Sequence, residues 1–239
     1  MPCASTCWVR QLLRRVHAPA AIPNAVASLC ANSQRPNLLL VADVQESVRL
    51  LALTSAGFHT LVVDTLPRFV VAMLPLDDAT VIASDKFGNV VALRAPASAL
   101  DLEHPPARPC HWDAVAEFHA GDIITGMDAC EMGVAARQII LCSSLMGAVL
   151  AAVPLVSRHD ADMLRALELA LRRLPSVAGR DHLAMRSSFF PVRAAVDGDL
   201  CELFYGLDST SQDAIAEDIG HDAPTILKKL DDMRAIHAL

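Results

Sequence analysis

The segment Val41-Ala42-Asp43-Val44-Gln45-Glu46-Ser47-Val48 consists of an apolar strand, an aspartate, a short turn and a second apolar strand. The segment Ile82-Ala83-Ser84-Asp85-Lys86-Phe87-Gly88-Asn89-Val90 repeats this order. A third copy, Ile139 to Val149, has Ser143 in place of the aspartate. Asp43 and Asp85 are 42 residues apart, and 58 residues separate Asp85 from Ser143. A period of roughly 40–45 residues is typical of β-propeller blades.

Short apolar runs bounded by turn residues surround these copies and predict further strands. The eleven predicted strands are Ala25–Cys30, Leu38–Ala42, Ser47–Leu53, Thr60–Val63, Phe69–Leu74, Thr80–Ala83, Val90–Arg94, Val115–His119, Ile123–Ala129, Gln138–Cys142 and Ala148–Val153. The longer second spacing is explained by a Pro-rich loop at 96–109. A closed propeller typically has about four to eight blades. We therefore expect the end of a propeller, about three blades long, with the other blades missing or on another chain.

The periodicity becomes helical after Pro154. Met163, Leu164, Leu167 and Leu171 share one face of a predicted amphipathic helix, Asp160–Leu174. Further short helices are predicted at Asp181–Ser188, Asp199–Leu207, Ser211–Ile219 and Ala223–His237. The fold class is therefore mainly β with an α-helical C-terminus. We expect an N-terminal segment at 1–21, a partial propeller at 22–156 and a helical domain at 157–239.

Composition limits the possible partners and compartments. Apolar residues make up 53% of the 239 residues, and the seven cysteines are scattered without a Cys-x-x-Cys pair, which favours reduced thiols in the cytosol or nucleus. Residues 197–239 hold ten acidic and three basic residues, so the whole net charge of −7 lies there. This distribution disfavours a strong nonspecific grip on nucleic acid. No apolar run reaches the ~18 residues that span a bilayer, so no membrane partner is expected.

The N-terminal stretch 1–21 contains Arg10, Arg14 and Arg15 but no acidic residue. This pattern is compatible with an amphipathic transit peptide. We prefer its interpretation as a surface segment of a larger fold.

Residues 179–202 contain several local signals in a short stretch. Gly179 can end one helix, Asp181 can cap another, and Asp197-Gly198-Asp199 can form a turn that caps a third. This density predicts a specific joint between packed elements.

The same stretch contains Gly179-Arg180-Asp181-His182-Leu183, Arg186-Ser187, Phe190-Pro191-Val192 and Asp197-Gly198-Asp199-Leu200-Cys201-Glu202. In these motifs and their order it resembles the splicing factor 3b subunit 3 family of propeller proteins. Asp85-Lys86-Phe87-Gly88-Asn89 also matches. Two related families are damage-specific DNA-binding protein 1 and the large subunit of the cleavage and polyadenylation specificity factor.

The resemblance implies a noncatalytic, nuclear scaffold of the splicing factor 3b complex, in the ribonucleoprotein that recognises the branch site. Its expected partners are the HEAT-repeat and small subunits of that complex and the missing upstream propellers of the same subunit, with mostly indirect contact to RNA and no cofactor. The implied interface residues are Arg180, Asp181, His182, Arg186, Asp197, Gly198 and Asp199. The alternatives are a ubiquitin-ligase adaptor of the damage-specific DNA-binding protein 1 type and an mRNA 3′-end processing factor.

Catalytic and metal-binding hypotheses are weaker. His182 could act as a general base oriented by Asp197 or Asp199, with Ser187, Ser188 or Cys201 as nucleophile. A His beside a helix-capping Asp is usually structural, so we expect no enzyme. Cys110-His111 with His104 or His119, or Asp197 with Asp199, has no recognised metal-ligand spacing, and no metal is expected.

Two further features have competing interpretations. Asp85-Lys86-Phe87-Gly88-Asn89 could be taken for a phosphate-binding loop, but it has one glycine and no following helix, so a structural turn is favoured. Gly88-Asn89 is predicted to form a two-residue hairpin turn with Phe87 packed in the blade. A set of arginines could contact RNA phosphates, an acidic partner or acids of the same domain. These are Arg165, Arg172, Arg173, Arg180, Arg186 and Arg193.

Overall fold

The computed structural model describes residues 22–31, 35–54, 57–102, 106–132, 137–176, 179 and 191–237. Its fold class is mainly β with a helical C-terminal part, as predicted. The described residues form twelve strands in three sheets. All eleven predicted strands are present, with boundaries shifted by a few residues.

The first sheet has the order β1-β2-β3-β4-β8, the second β5-β6-β7-β9 and the third β10-β11-β12. The first sheet contains β1 (Val26–Ala31), β2 (Leu38–Asp43), β3 (Val48–Thr54), β4 (Gly57–Val63) and β8 (Cys110–His111). The second contains β5 (Val70–Pro75), β6 (Thr80–Asp85), β7 (Asn89–Arg94) and β9 (Asp113–His119). The third contains β10 (Ile124–Met132), β11 (Arg137–Ser144) and β12 (Val149–Ala152).

Hydrogen-bond register shows that the three sheets are copies of one unit. The first residue of the first strand pairs with the last residue of the second strand in each sheet, and a bulge follows. These pairs are Val26 with Asp43, Val70 with Asp85 and Ile124 with Ser144. The third copy of the repeat is therefore at Ser144, and its assignment to Ser143 was wrong by one residue.

A second backbone contact recurs in each copy. The residue after the repeat position donates its N–H to the carbonyl of the residue that precedes the first strand. The three bonds are Val44 to Ala25 at 3.0 Å, Lys86 to Phe69 at 3.2 Å and Leu145 to Ile123 at 2.8 Å. Each turn is thereby fixed to the chain that enters its own sheet.

The aspartates of the repeat stabilise these turns as hydrogen-bond acceptors. Asp43 Oδ1 accepts the N–H groups of Gln45 and Glu46 at 2.9 and 3.2 Å. Burial alone would raise the pKa of Asp43, but these bonds and others from Asn24 together lower it. Asp85 Oδ1 accepts from the N–H groups of Phe87 and Asn89, each at 2.8 Å.

The turn after Asp85 differs from its prediction. It consists of Lys86–Gly88, and Asn89 already belongs to β7. Phe87 is exposed and contacts the Phe69 ring edge-on at 5.8 Å, with Lys86 Nζ 3.8 Å from the Phe69 centroid. The prediction that Phe87 packs inside the blade was therefore wrong.

The Pro-rich loop contains an excursion that sequence patterns did not predict. After a 3-10 turn at Ala97–Leu100, β8 pairs in parallel with β4 of the first sheet, and the chain then returns to the second sheet as β9. Trp112, between β8 and β9, is buried and its Nε1 donates to the Val48 carbonyl at 2.9 Å. The excursion fastens the first two sheets together.

Two aliphatic cores lie between consecutive sheets. Leu40, Val48 and Leu50 of the first sheet pack with Val81 and Val91 of the second. The other face of the second sheet packs against the third in a core that includes Ile82, Val90, Ile140 and Cys142. Stacked, repeated sheets of this kind are the arrangement of propeller blades.

The described helices of the C-terminal part are α1 (Arg158–Leu171), α2 (Gly198–Glu202), α3 (Ser209–Asp218) and α4 (Ala223–His237). A 3-10 turn, Leu203–Gly206, follows α2. Leu167, Leu171, Phe204 and Ile226 are among the buried side chains of their shared core. None of the described helices is both long and apolar enough to cross a membrane. The predicted helix at 181–188 and the segment 1–21 lie outside the described residues.

Candidate interaction site where the sheets meet the helices

Asp197 forms the cap that its turn predicts. Its side chain accepts from Leu200 N–H at 3.3 Å, and its carbonyl accepts from Cys201 N–H at 3.1 Å. Gly198 and Asp199 are exposed in the first turn of α2. A carboxylate at this position is favoured by the unpaired N–H groups of a helix start. The other four predicted interface residues, Arg180, Asp181, His182 and Arg186, lie outside the described residues.

Asp197 also connects α2 to α1. Burial raises the pKa of the half-buried Glu168 on α1, and the negative charge of Asp197 raises it further, although a backbone hydrogen bond from Asp197 opposes both effects. The charges of Arg172 and Arg165 also oppose them. The positive charges of these two arginines therefore partly offset the effect of burial on the Glu168 carboxylate.

The segment before α2 is joined to the second sheet through Glu117 and Arg193. Glu117 N–H donates to the Arg193 carbonyl at 2.9 Å, and Arg193 N–H donates to the Glu117 carbonyl at 2.7 Å. We call this two-bond contact the Glu117–Arg193 joint. Glu117 lies on β9, an outer strand of its sheet, so the joint covers part of that edge.

The side chain of Glu117 extends the joint into a buried ion network. Its Oε1 accepts from Arg68 Nη1 at 2.6 Å, and Arg68 Nε donates to Asp64 Oδ2 at 2.7 Å. Ser47 Oγ also donates to Asp64 Oδ2, at 2.7 Å. Burial would lower the pKa of Arg68, but these carboxylates raise it, so its guanidinium stays charged. The network therefore connects the segment between β4 and β5, which contains Asp64 and Arg68, to strand β9, whose Glu117 pairs with Arg193.

The last helix is fastened to the same part of the structure by paired side chains. Arg234 makes two hydrogen bonds of 3.0 Å to the Glu202 carboxylate and lies over the Tyr205 ring. Tyr205 Oη donates to Asp231 at 2.6 Å, and burial together with this bond raises the pKa of Tyr205 to about 12. The α2 region therefore presents a fixed surface.

The structure argues against Cys201 as a nucleophile. Its thiol is buried in the helical core, donates weakly to the Leu164 carbonyl at 3.7 Å, and has a pKa raised to about 12, chiefly by burial. A thiol with that pKa is protonated at neutral pH and is not reactive. The other catalytic candidates, His182, Ser187 and Ser188, lie outside the described residues.

The metal hypotheses find no geometric support. Within the described ranges, no three His, Cys, Asp or Glu side chains are close enough to hold an ion. Cys110 and His111 form the short strand β8, and Asp197 is occupied as a helix cap. His104 lies outside the described residues.

Four of the six arginines that could contact RNA phosphates, an acidic partner or acids of the same domain lie within the described residues. Arg165 is exposed, Arg172 is half-buried, and Arg173 pairs with Asp218 at 2.9 Å. Arg193 takes part in the joint through its backbone. Acidic neighbours thus offset much of this surface, which is unfavourable for binding phosphates.

A comparison with protein families matches residues 8–206 to the family described as the CPSF A subunit region. Probable splicing factor 3B subunit 3 of Dictyostelium discoideum is 32% identical over 244 residues, covering 95% of this chain and 19% of the relative. Pre-mRNA-splicing factor RSE1 of Mycosarcoma maydis is 37% identical over 242 residues, covering 94% and 20%. Splicing factor 3B subunit 3 of Drosophila melanogaster is 34% identical over 234 residues, covering 91% and 19%. The chain spans about a fifth of the length of these relatives.

Proposed function

This chain belongs to the family described as the CPSF A subunit region, and on that premise we propose that it is a noncatalytic scaffold in pre-mRNA splicing. The observation that carries the proposal is the similarity, over more than nine-tenths of the chain, to relatives named as splicing factors. Those names contain no enzymatic activity.

The scaffold acts by rigid presentation of a surface. The Glu117–Arg193 joint and the Arg68 network hold the segment before α2 on the second sheet, and the hydrogen bond from the Asp197 backbone to Glu168 connects the start of α2 to α1. Preorganised surfaces lose little conformational entropy on binding, so more of the contact energy appears as affinity. The proposed interface comprises Arg180, Asp181, His182, Arg186, Asp197, Gly198 and Asp199.

The proposed partners are the HEAT-repeat and small subunits of the splicing factor 3b complex and the upstream propellers of the corresponding subunit. The proposed site of action is the nucleus, within the ribonucleoprotein that recognises the branch site. RNA contact is mostly indirect, because the net negative charge lies in residues 197–239, which contain α2 to α4.

The proposed organisation is an N-terminal segment at 1–21, a partial propeller at 22–156 and a helical domain at 157–239. Its support is the distribution of elements. The strands lie between Val26 and Ala152, and the helices α1 to α4 begin at Arg158.

The test is co-purification of the tagged full chain from nuclear extract, with partners identified by mass spectrometry. Splicing factor 3b subunits should be recovered with the wild-type chain. Asp199→Arg, which reverses an exposed charge in the proposed interface, should reduce that recovery about tenfold. The matched control is Asp213→Arg, which reverses an exposed charge on α3 and should leave recovery unchanged.

Other outcomes would contradict the proposal. Recovery of ubiquitin-ligase components in place of splicing factors would favour an adaptor of the damage-specific DNA-binding protein 1 type. If Asp199→Arg and Asp213→Arg reduced the recovery of splicing factor 3b subunits equally, Asp199 would not belong to the interface. Recovery of these subunits with the wild-type chain would still support the scaffold role.

A further inference from the structure

Ala194 has a backbone conformation that alanine rarely adopts. Its φ is 46°, in the left-handed region, and the chain bends at this residue. Glycine enters this region without steric cost, whereas the Cβ of alanine makes it unfavourable. Ala194 is exposed, so burial of its methyl group does not compensate for the conformation. A residue stays in such a conformation where the surrounding contacts enforce it.

The contact that precedes Ala194 is the Glu117–Arg193 joint. Arg193 N–H donates to the Glu117 carbonyl at 2.7 Å, and its carbonyl accepts from Glu117 N–H at 2.9 Å. The Arg193 backbone is thereby held alongside β9, and Glu117 is itself fixed by its buried ion pair with Arg68. The chain therefore arrives at Ala194 from a fixed direction.

Phe69 stands in the same relationship to Glu117. In the described part of the chain, Phe69 and Ala194 are the non-glycine residues with positive φ. Each directly follows an arginine that is bonded to Glu117, Arg68 through its side chain and Arg193 through its backbone. The bonds of Glu117 therefore support two turns of the backbone that alanine and phenylalanine would not adopt by themselves.

The contacts that follow Ala194 fix the start of α2. Asp197 accepts from Leu200 N–H at 3.3 Å, and Leu200 is buried in the helical core, against which Val196 also packs. Three residues separate Arg193 from Asp197. A link of this length spans at most roughly 14 Å, so it has few alternative paths between its two anchors.

The two parts of the structure that this link joins have separate cores. The described core of the helical part consists of residues that follow Pro154, and the described cores of the sheets consist of residues that precede it. The orientation of the helical part on the sheets therefore depends on the segments of chain that pass between them. Ala194 is the point at which one of these segments turns from the second sheet towards α2.

We propose that Ala194 is a positioning residue for the proposed interface. Its left-handed conformation sets the direction in which α2 leaves the second sheet, and with it the orientation of Asp197, Gly198 and Asp199 towards a partner. This inference rests on the proposed scaffold function, because it concerns how that surface is presented. A turn with several accessible conformations would present the same residues in several orientations, and the apparent affinity would fall with the fraction that is competent to bind.

Valine at position 194 tests this role, because a β-branched side chain is strongly disfavoured in the left-handed region. Ala194→Val should open the Glu117–Arg193 joint, since the other anchor is supported by a buried core. In the purified full chain, the amides of Glu117 and Arg193 should then exchange hydrogen about tenfold faster, as expected when a local opening becomes more populated. Ala194→Gly and Ala194→Asn both accept the conformation and should leave this exchange unchanged.

Two controls separate a local effect from unfolding. Ala214→Val makes the same substitution at an exposed position of α3, where the backbone is helical, and should not alter exchange at the joint. The amides of β6 and β7 report on the second sheet and should stay protected in Ala194→Val. Loss of protection in these two strands would show that valine unfolds the sheet, and would overturn the positioning role.

Co-purification from nuclear extract distinguishes this inference from the proposed function. Ala194→Val should lower the recovery of splicing factor 3b subunits about tenfold, whereas Ala194→Gly and Ala194→Asn should retain it. Full recovery with Ala194→Val, or unchanged exchange of the Glu117 and Arg193 amides in that variant, would overturn the positioning role and leave the scaffold function standing. Failure of the wild-type chain to recover these subunits would overturn both.

Discussion

Arg68 and Glu117 form a buried ion pair, 2.6 Å between Nη1 and Oε1, although 49 residues separate them in sequence. The residues lie on the link between the first two sheets and on the outer strand β9. Because the Glu117 backbone also pairs with Arg193, one residue connects both sheets to the segment that leads into the helices. The ion pair therefore stabilises the fold, and it also helps to fix the segment that leads into the helices against the second sheet.

Glu117→Gln should destabilise the chain by about 3 kcal/mol, because it removes the negative partner of a buried charged pair from the Arg68 guanidinium. Urea unfolding of the purified full chain would measure this loss. The control is Glu46→Gln, whose partner Arg49 is 3.9 Å away and whose side chain is largely exposed. A surface pair of this kind contributes at most about 1 kcal/mol. Equal losses from the two substitutions would contradict the role assigned to Arg68 and Glu117.

Gly88→Ala and Gly147→Ala separate steric crowding from backbone conformation. Both glycines have positive φ, 87° and 91°. A Cβ at Gly88 would lie 2.9 Å from the Asp122 carbonyl oxygen and from His119 Cε1, whereas one at Gly147 would meet nothing within 4 Å. The left-handed conformation alone should cost about 1 kcal/mol, as at Gly147, and crowding should raise the cost at Gly88 to about 3 kcal/mol. Thermal unfolding of the two variants checks the order, and a larger loss at Gly147 would refute it.

The strands were predictable because their alternation and turn residues are local signals. The repeat was predictable for the same reason, except in its third copy. There Ser143 and Ser144 are adjacent and chemically identical, and they are distinguished by contacts with a distant strand, the pairing of Ser144 with Ile124 and the hydrogen bond from Leu145 to Ile123. The helices after Pro154 and the Asp197 cap also depend on neighbouring residues, and both were found.

The features that were missed depend on contacts between distant residues. Strand β8 has only two residues, too few for any periodicity, and exists because β4 offers it a partner. The Glu117–Arg193 joint uses backbone groups, so side-chain identity gives no signal for it. Phe87 was predicted to pack in the blade beside a Gly88-Asn89 turn, yet the turn stabilised by Asp85 leaves its side chain exposed.

Asp85→Ala should destabilise the second sheet by about 2–3 kcal/mol, because buried N–H donors lose their acceptor. Asp85 accepts three bonds, from the N–H groups of Phe87 and Asn89 and from Asn89 Nδ2 at 2.7 Å. Asp85→Asn keeps one acceptor oxygen and should fall between alanine and wild type. Asp113→Ala, at an exposed strand position, serves as the control and should change stability little. Hydrogen exchange should show reduced protection of the backbone amides of β6 and β7 in Asp85→Ala before other strands are affected. Unchanged protection in these two strands would contradict the prediction.

Glu168→Gln should stabilise the chain at neutral pH. Burial raises the pKa of Glu168 above its usual 4.5, so the folded state binds the proton more tightly than the unfolded state. The stability from this group is then fully present below the unfolded-state pKa and is lost as the pH rises through the folded-state pKa. Glutamine removes the charge but can still accept the hydrogen bond from the Asp197 backbone.

The gain in stability over wild type should shrink as the pH is lowered towards 4.5 and below, as measured by thermal unfolding across a pH series. Glu217→Gln, at an exposed position of α3, is the matched control and should leave the stability at neutral pH unchanged. If Glu168→Gln instead destabilised the chain at neutral pH, attraction to Arg172 and Arg165 would outweigh the cost of burial.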